Sequence, residues 1–165
     1  MSIIKGFVTN LGKYNEGELI GEWVDFPCNE DEWEEVLERI GIDEKYEEYF
    51  FSDWEIELDN ANTLEMYLSY DEVNDLAWDL EILDYNERGK LEAIMELETS
   101  DIANALNYMR DYEFISGYTL EEYVREDLDC LGNIPDYVMD YIDFEQLGSD
   151  HYYNVRESEN GVLIG

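Results

Sequence analysis

Carboxylates are the reactive side chains that this sequence repeats most often. The 165 residues include 44 Asp and Glu against 9 Lys and Arg, so the formal net charge is −35. Carboxylates can bind metal ions, exchange protons as a general acid and base, or present negative charge to a cationic partner. Between residues 46 and 59, six carboxylates are interspersed with aromatic and aliphatic residues and with no Lys or Arg. Folding of this segment must therefore bring like charges together.

Neither catalysis nor metal binding has a matching pattern in the sequence. The single histidine, His151, lies in a tyrosine-rich tail, whereas nucleophilic catalysis usually requires a nucleophile beside a base. Segment 127–138 has Asp at the first and third positions of an EF-hand loop, but Val138 replaces the final bidentate Glu. Segment 84–95 places Arg88 among the ligand positions. We therefore predict that the protein is not an enzyme and holds no cofactor and no specific metal ion.

The charge balance also decides which partners the sequence favours. Binding to nucleic acids or anionic membranes needs clustered Lys and Arg, and nine scattered cations do not supply them. No apolar run approaches the ~20 residues that span a bilayer, and no apolar segment typical of a signal peptide follows the first residues. Cys28 and Cys130 form no CxxC pattern, which predicts two reduced, partly buried thiols. We expect a cytoplasmic protein whose partner presents a basic surface.

The apolar residues predict a folded chain despite the charge. Disordered chains lack aromatic and branched aliphatic residues, whereas this chain is 15% aromatic. Residues 3–10, 18–26 and 49–56 are predicted strands, and a glycine-containing loop joins the first two. Asn29 and Glu32 have the spacing of a capping box and open a predicted helix. The inner face of that helix has apolar residues at i, i+3, i+4 and i+7, namely Trp33, Val36, Leu37 and Ile40.

Helical periodicity dominates after residues 58–62, where the composition changes. Apolar stripes predict helices over residues 73–83, 91–97 and 102–109. The sequence thus predicts an α+β fold of three small domains in a row. These are residues 1–60 with a three-stranded sheet and one helix, a helical middle domain over 61–103, and a mixed α+β C-terminal domain over 104–165. Units of this size are marginally stable alone, so we expect them to pack against each other.

The C-terminal third mixes strand and helix signals. Residues 112–118 are a predicted strand, and Thr119 with Glu122 opens a helix. Pro135 suits the first position of the last helix, whose inner face is predicted to hold Val138, Tyr141 and Ile142. Residues 151–165 are a predicted hairpin. Its apolar end, formed by Val162, Leu163 and Ile164, could belong either to a core or to a dimer contact.

The outward faces of the predicted helices collect like charges. On the first helix Asp31/Glu35 and Glu34/Glu38 are i,i+4 pairs of the same sign, each costing about 0.2–0.5 kcal/mol. Only Arg39, four residues after Glu35, can offset this repulsion with a favourable ion pair. The last predicted helix repeats the arrangement with Asp136, Asp140 and Asp143. Solvated faces and halophilic adaptation are alternative explanations, but a net charge of −35 and the 14 Tyr and 4 Trp fit them poorly.

The charge can be compared with that of a DNA duplex. Duplex DNA has one charge per ~1.7 Å of axis, so 35 charges correspond to roughly 60 Å, or about 18 base pairs. A compact globule of this length has a radius of gyration of about 15 Å and a diameter near ~40 Å. Display of DNA-like charge at DNA-like density therefore predicts an elongated molecule.

Three segments resemble one known protein family. "VTNLGKYNEGELIGEWVDFP" (8–27), "IGIDEKYEEYFFSDWEI" (40–56) and "LGNIPDYVMDYIDFEQLGSD" (131–150) are similar to the ArdA family of antirestriction proteins. The third segment resembles the antirestriction motif of the family. The motif residues that this sequence retains are Leu131, Gly132, Pro135, Tyr141, Asp143, Gly148 and Asp150.

The resemblance implies a fold, a partner and a function. It implies three small domains in a curved, elongated row that dimerises through the C-terminal domain. It also implies mimicry of bent B-form DNA, with which the protein would occupy the DNA-binding groove of the methyltransferase core of type I restriction–modification enzymes and block restriction and modification. Such proteins are carried on mobile genetic elements and act in the bacterial cytoplasm. The resemblance assigns no catalytic residue.

We expect the mimicking surface to consist of exposed acids around the predicted helices. The candidates are Asp31, Glu34, Glu35, Glu38, Glu47, Glu48, Asp136, Asp140, Asp143 and Asp150. Two alternatives stay open. One is an acidic mimic or inhibitor of another basic DNA-binding protein, and the other is a cation-binding or halophilic acidic protein.

Overall fold

The computed structural model describes residues 2–132 and 134–165. The chain forms two compact units: an N-terminal unit of the chain up to Leu58 together with Asn62–Leu83, and a C-terminal unit of Asp59–Ala61 and Asp84–Gly165. Each unit contains one three-stranded sheet and several helices, which confirms the α+β class. The division into three domains, with boundaries near residues 60 and 103, stays a prediction.

An antiparallel sheet forms the centre of the N-terminal unit. Its strands are β1 (Ile4–Asn10), β2 (Gly21–Phe26) and β3 (Tyr49–Ile56), in the order β2-β1-β3. Ile4 lies opposite Phe26 on one side and Ile56 on the other, and the register with β3 shifts between Phe7 and Val8. The three predicted strands are thus confirmed, although β2 begins at Gly21 and not at residue 18.

The segment predicted as a loop after β1 begins with a short helix, α1 (Leu11–Asn15). Asn10 is fully buried, and its Oδ1 accepts a hydrogen bond of 2.9 Å from the amide of Lys13, which caps α1. Its Nδ2 donates to the carbonyls of Ile40 and Gly41, at 3.2 and 2.9 Å. One side chain therefore fixes the start of α1 and the end of the next helix.

Two helices complete the core of the N-terminal unit. α2 (Glu30–Arg39) starts at Asn29, whose side chain accepts from the amide of Glu32, and Gly41 follows its C-terminus with a positive φ of 79°. α3 (Tyr70–Glu81) starts with a capping box between Ser69 and Glu72. The predicted apolar faces are buried, and they supply Trp33, Val36, Ile40, Val73, Ala77 and Leu80.

The C-terminal unit combines six further helices and strands with a closing hairpin. In chain order these are α4 (Tyr85–Leu97), α5 (Ile102–Tyr108), β4 (Glu113–Ser116), α6 (Leu120–Leu131), α7 (Asp136–Met139), α8 (Phe144–His151), β5 (Val155–Ser158) and β6 (Gly161–Ile164). The antiparallel sheet has the order β4-β6-β5, which confirms the predicted C-terminal hairpin. Val162 and Leu163 are fully buried, so these two residues belong to the core.

The helix predicted from Pro135 onward ends much earlier than its apolar spacing indicated. Pro135 is the N-cap and not the first helical residue, and α7 ends after Met139. Asp143 has extended backbone angles, and its side chain accepts from the amide of Gln146, which starts α8 separately. Asp caps a helix well because its oxygen satisfies a free amide. Tyr141 consequently lies between the helices and is 89% exposed instead of facing inward.

Carboxylates of α4 hold the turn of the C-terminal hairpin. Glu96 accepts from the amide of Glu159 at 3.0 Å, and Glu92 accepts from Nδ2 of Asn160 at 2.9 Å. Burial raises the pKa of Glu92, and the nearby charge of Asp59 raises it further. A carboxylate with a raised pKa favours folding in its protonated form, so its contribution to stability falls as the pH rises through that pKa.

We expect Glu92→Gln to stabilise the protein near neutral pH by a few tenths of a kcal/mol, about 0.2–1 after solvent screening. The amide oxygen can still accept from Asn160, while the repulsion with Asp59 disappears. The gain should shrink as the pH falls toward the raised pKa, because the native carboxyl then becomes neutral as well. Thermal unfolding between about pH 8 and about pH 5 measures this difference. Equal gains at both ends of that range would contradict the assignment. Asp101→Asn is a control that retains a helix cap.

Candidate interaction surface

Both units of the chain are strongly acidic by themselves. The N-terminal unit has 23 Asp and Glu against 4 Lys and Arg, and the C-terminal unit has 21 against 5, which accounts for the 44 and 9 of the chain. Across residues 2–132 and 134–165, ion pairs involve only six carboxylates, those of Glu18, Glu22, Asp25, Glu35, Glu55 and Glu98. The excess charge is therefore a property of the whole surface and not of one tail.

Helix ends add to this negative surface. In α3, α4, α5, α6 and α7 the last turn contains no basic residue. The carbonyls at a helix C-terminus carry about half of a negative charge, which cations in the last turn usually offset. In these five helices the partial charge adds to that of the carboxylates instead.

All ten sequence-predicted acids are exposed, and they fall into two groups. Asp31, Glu34, Glu35 and Glu38 lie on the outer face of α2, and Glu47 and Glu48 directly precede β3, all in the N-terminal unit. Asp136, Asp140, Asp143 and Asp150 lie in and around α7 and α8 of the C-terminal unit. Of the ten, Asp136 and Asp140 line one groove together, and Glu47 and Glu48 line another surface depression.

Some of these acids also have partners inside the protein. Arg39 bonds to both carboxylate oxygens of Glu22, each at 2.9 Å, and reaches Glu35 at 3.5 Å. The hydrogen bond from Arg39 lowers the pKa of Glu22. Asp143 caps α8, and Asp150 accepts from Nε2 of Gln146 at 2.9 Å. These acids stabilise the local structure as well as contributing charge.

The motif residues divide into structural and exposed ones. Gly132 ends α6 in a left-handed conformation with φ of 64°. Gly148 is buried where α8 packs on α6, since a Cβ there would lie only 2.7 Å from Cγ of Leu120. Leu131, Pro135 and Tyr141 are exposed. Gly132 therefore serves the turn that ends α6, and Gly148 serves the packing of α8 on α6, whereas Leu131, Pro135 and Tyr141 expose their side chains.

A groove of about 760 Å³ runs along α6 and α7. Five carboxylates line it, from Glu122, Glu126 and Asp129 on α6 and from Asp136 and Asp140 at the two ends of α7. Of these, only Asp136 and Asp140 were predicted as site residues. The spacing of the three α6 acids, at i, i+4 and i+7, was the available sequence signal for the others.

No group of three or more His, Cys, Asp or Glu side chains is arranged for a metal ion in the part of the chain that the structure describes. Segment 84–95 is mostly helix α4 and not a ligand loop. Every helix of residues 2–132 and 134–165 is too short or too polar to cross a membrane. Both cysteines are free: Cys130 is exposed, and Cys28 is buried, which together with Glu32 raises its pKa to about 11.

Comparison with known proteins assigns the chain to a family. A search of curated proteins found no match. The family described as antirestriction protein (ArdA) matches residues 6–163, nearly the whole chain. The match includes all three segments that resemble the family and both acidic groups described above. The chain therefore belongs to the ArdA family of antirestriction proteins.

Proposed function

We propose that this protein is an acidic mimic of B-form DNA that occupies the DNA-binding groove of a type I restriction–modification enzyme. Bound at the methyltransferase core, it would block both restriction and modification. One observation carries the proposal: both units of a chain from an antirestriction family expose carboxylates that few cations neutralise. Its site of action would be the bacterial cytoplasm, on behalf of a mobile genetic element.

The spacing of the acids supports mimicry of a phosphate backbone. Neighbouring helical positions of one face place charges ~5–6 Å apart, comparable with the spacing of phosphates along a strand. A basic cleft that binds DNA gains affinity by releasing counterions, and a folded acidic surface can use the same cleft. Since the protein has no phosphodiester bonds, an enzyme that cleaves DNA cannot remove it by cleavage.

Competition for the methyltransferase core tests the proposal. A fluorescent duplex with the recognition site is bound to the purified core, and the protein is added at increasing concentration. We expect full displacement of the duplex, whereas polyglutamate at equal total charge should displace far less. Failure to displace would overturn the proposal. Equal displacement of DNA from an unrelated basic nuclease would favour the broader class of inhibitor of DNA-binding proteins.

Neutralising a block of acids should weaken inhibition more than neutralising any one of them. We expect the combined change of Asp136, Asp140 and Asp143 to Asn to weaken binding about tenfold, at ~0.5 kcal/mol for each exposed contact. Asn also caps helices well, so the start of α8 should survive. Glu34→Gln alone should weaken binding only about twofold, at the same ~0.5 kcal/mol for one exposed contact.

A matched block on α3 separates position from net charge. Asp75→Asn, Asp79→Asn and Glu81→Gln remove the same charge from exposed residues outside the predicted surface. Inhibition constants for both triple variants would be measured at one salt concentration. If the α3 block weakens inhibition equally, total charge and not its placement decides binding.

The proposal includes an elongated dimer that joins through the C-terminal domain. Self-repulsion is smallest when charge spreads along a rod, and two chains would offer charge equivalent to about 36 base pairs. We expect small-angle scattering in moderate salt to give a radius of gyration far above the ~15 Å of a compact monomer. A compact, monomeric profile across micromolar concentrations would contradict both the elongation and the dimer.

A further inference from the structure

The groove lined by α6 and α7 is a surface depression that collects five carboxylates. Its volume of about 760 Å³ is in the range of ligand pockets. Met139, only 7% exposed, is among its lining residues. A flat charged face would suffice to imitate phosphates, so the groove calls for a different explanation.

Two tyrosine rings line the same groove. Tyr118 and Glu126 both line it, and the interaction of the phenol with the Glu126 carboxylate raises the pKa of Tyr118. Tyr137 lines the groove as well and is 73% exposed. The groove thus combines aromatic faces with carboxylates, and these are the two groups that bind an organic cation.

Arg125, the one basic residue among the described residues that line the groove, forms no ion pair with the carboxylates there. The guanidinium carbon of Arg125 lies 5.4 Å from the ring centroid of Phe144. Within residues 2–132 and 134–165 it forms no ion pair, and neither do the five carboxylates of the groove. The negative potential of the groove is therefore available to a cation from outside.

The chemistry of the lining favours arginine over lysine. A guanidinium is planar, stacks on aromatic rings, bonds to carboxylates in a bidentate manner and is weakly hydrated. A lysine ammonium is a compact, strongly hydrated charge that gains less from a ring. The carboxylates therefore favour a cationic ligand, and the aromatic rings favour one whose charged group is planar.

We propose that this groove binds an arginine side chain of the partner protein, next to Tyr137 and paired with the carboxylates of α6 and α7. The proposal rests on the proposed function only for the source of the arginine, which is the basic DNA-binding cleft. It adds a discrete contact to a surface that otherwise acts by diffuse charge. Because stacking on a ring is screened less than charge attraction, this contact should persist at salt concentrations that weaken the rest.

Binding of arginine can be tested without any partner protein. The whole protein, with 13C-labelled methionine methyl groups, is titrated with N-acetyl-arginine amide and separately with N-acetyl-lysine amide at constant ionic strength. We expect a saturable shift of the Met139 methyl signal with arginine and at least a threefold weaker response to lysine. Met95, buried in α4, is the reference signal that should not move.

Matched tyrosine variants show whether the groove itself is responsible. Tyr137→Ala should abolish the Met139 shift, whereas Tyr153→Ala, which removes another exposed tyrosine of the same unit, should leave it unchanged. An unchanged Met95 signal shows that each variant is folded. Equal responses to arginine and lysine, or no saturable shift, would overturn the proposal. So would a Met139 signal that moves with protein concentration alone and that arginine does not reverse, because a second copy then covers the groove.

The competition assay separates failure of the groove proposal from failure of the proposed function. If the protein displaces DNA from the enzyme but arginine does not bind the groove, only the groove proposal fails. If arginine binds but DNA is not displaced, the proposed function fails, while binding of arginine by the groove still stands.

Discussion

Raising the salt concentration from about 50 to about 200 mM should weaken binding of this protein to its target enzyme by about a hundredfold or more. A protein that neutralises 6–10 phosphates loses about 10³–10⁵ in affinity for DNA over this range. A folded domain condenses fewer counterions than a duplex, so we expect the lower end of that scale or slightly less. The net charge of −35 and the few ion pairs are the physical reason.

The measurement is a dissociation constant at four or more salt concentrations, plotted as its logarithm against that of the salt concentration. Sucrose at matched osmolality is the control, and it should leave the constant unchanged because it does not screen charge. The triple variant of Asp136, Asp140 and Asp143 should give a shallower slope than the native protein. A dissociation constant that stays within twofold across the range would exclude charge mimicry as the mechanism.

Phe51→Ala should lower the free energy of unfolding by about 3–5 kcal/mol. Phe51 is fully buried and contacts four other rings, with centroid distances between 4.3 and 6.3 Å, from Phe26, Trp33, Tyr49 and Trp54. Domains have total stabilities of about 5–15 kcal/mol, and self-repulsion reduces what is available here. We therefore expect the variant to be marginally folded at low salt.

Urea unfolding followed by tryptophan fluorescence measures this effect, since urea adds no charge. Tyr67→Ala removes an exposed ring from the same unit and should change stability by less than about 0.5 kcal/mol. Added salt should stabilise the native protein and both variants, because it screens repulsion between carboxylates. Loss of stability in salt, or a Phe51 variant as stable as the native protein, would contradict this account.

Salt should therefore act in opposite directions on folding and on binding. Loss of inhibition at high salt then cannot result from unfolding, because the fold is more stable under those conditions. This opposition makes the two measurements informative together, and it follows from one quantity, the surplus of carboxylates in both units.

Elements with local signals could be predicted from the sequence. The helix after Asn29 has its cap, its apolar face and its terminal Gly41 within 13 residues, and the structure contains each of them. The strand β3 and the C-terminal hairpin are likewise coded by neighbouring residues. These elements could be predicted because helix capping and strand alternation depend on residues that are close in the sequence.

Elements that depend on distant contacts could not be predicted. α1 exists because the buried side chain of Asn10 links its first turn to the carbonyls of Ile40 and Gly41, about 30 positions away. The break after Met139 was hidden because Val138 and Ile142 keep a helical spacing across it, while Asp143 caps a new helix. Sequence spacing describes one element at a time and does not show where the next one begins.

The acidic character of the candidate surface could be predicted from the sequence, whereas the groove could not. The exposed acids of α2 follow directly from an amphipathic pattern. The groove requires α6 and α7 to line one depression, and only tertiary packing places Asp136 and Asp140 in the same lining as Glu122 and Glu126. Gly148 illustrates the difference, because the family resemblance marks it and the close packing on Leu120 explains it.

The unequal environments of the two cysteines allow the native chain to be labelled with a fluorescent dye at a single position. Cys28 is buried with a pKa of about 11, so only about one thiol in 10⁴ would be a reactive thiolate at neutral pH. Cys130 is exposed near the end of α6, four residues after Glu126 of the groove. A maleimide dye should therefore attach at one position without any cysteine being replaced. Its emission would follow the arrival of a partner at α6 in real time.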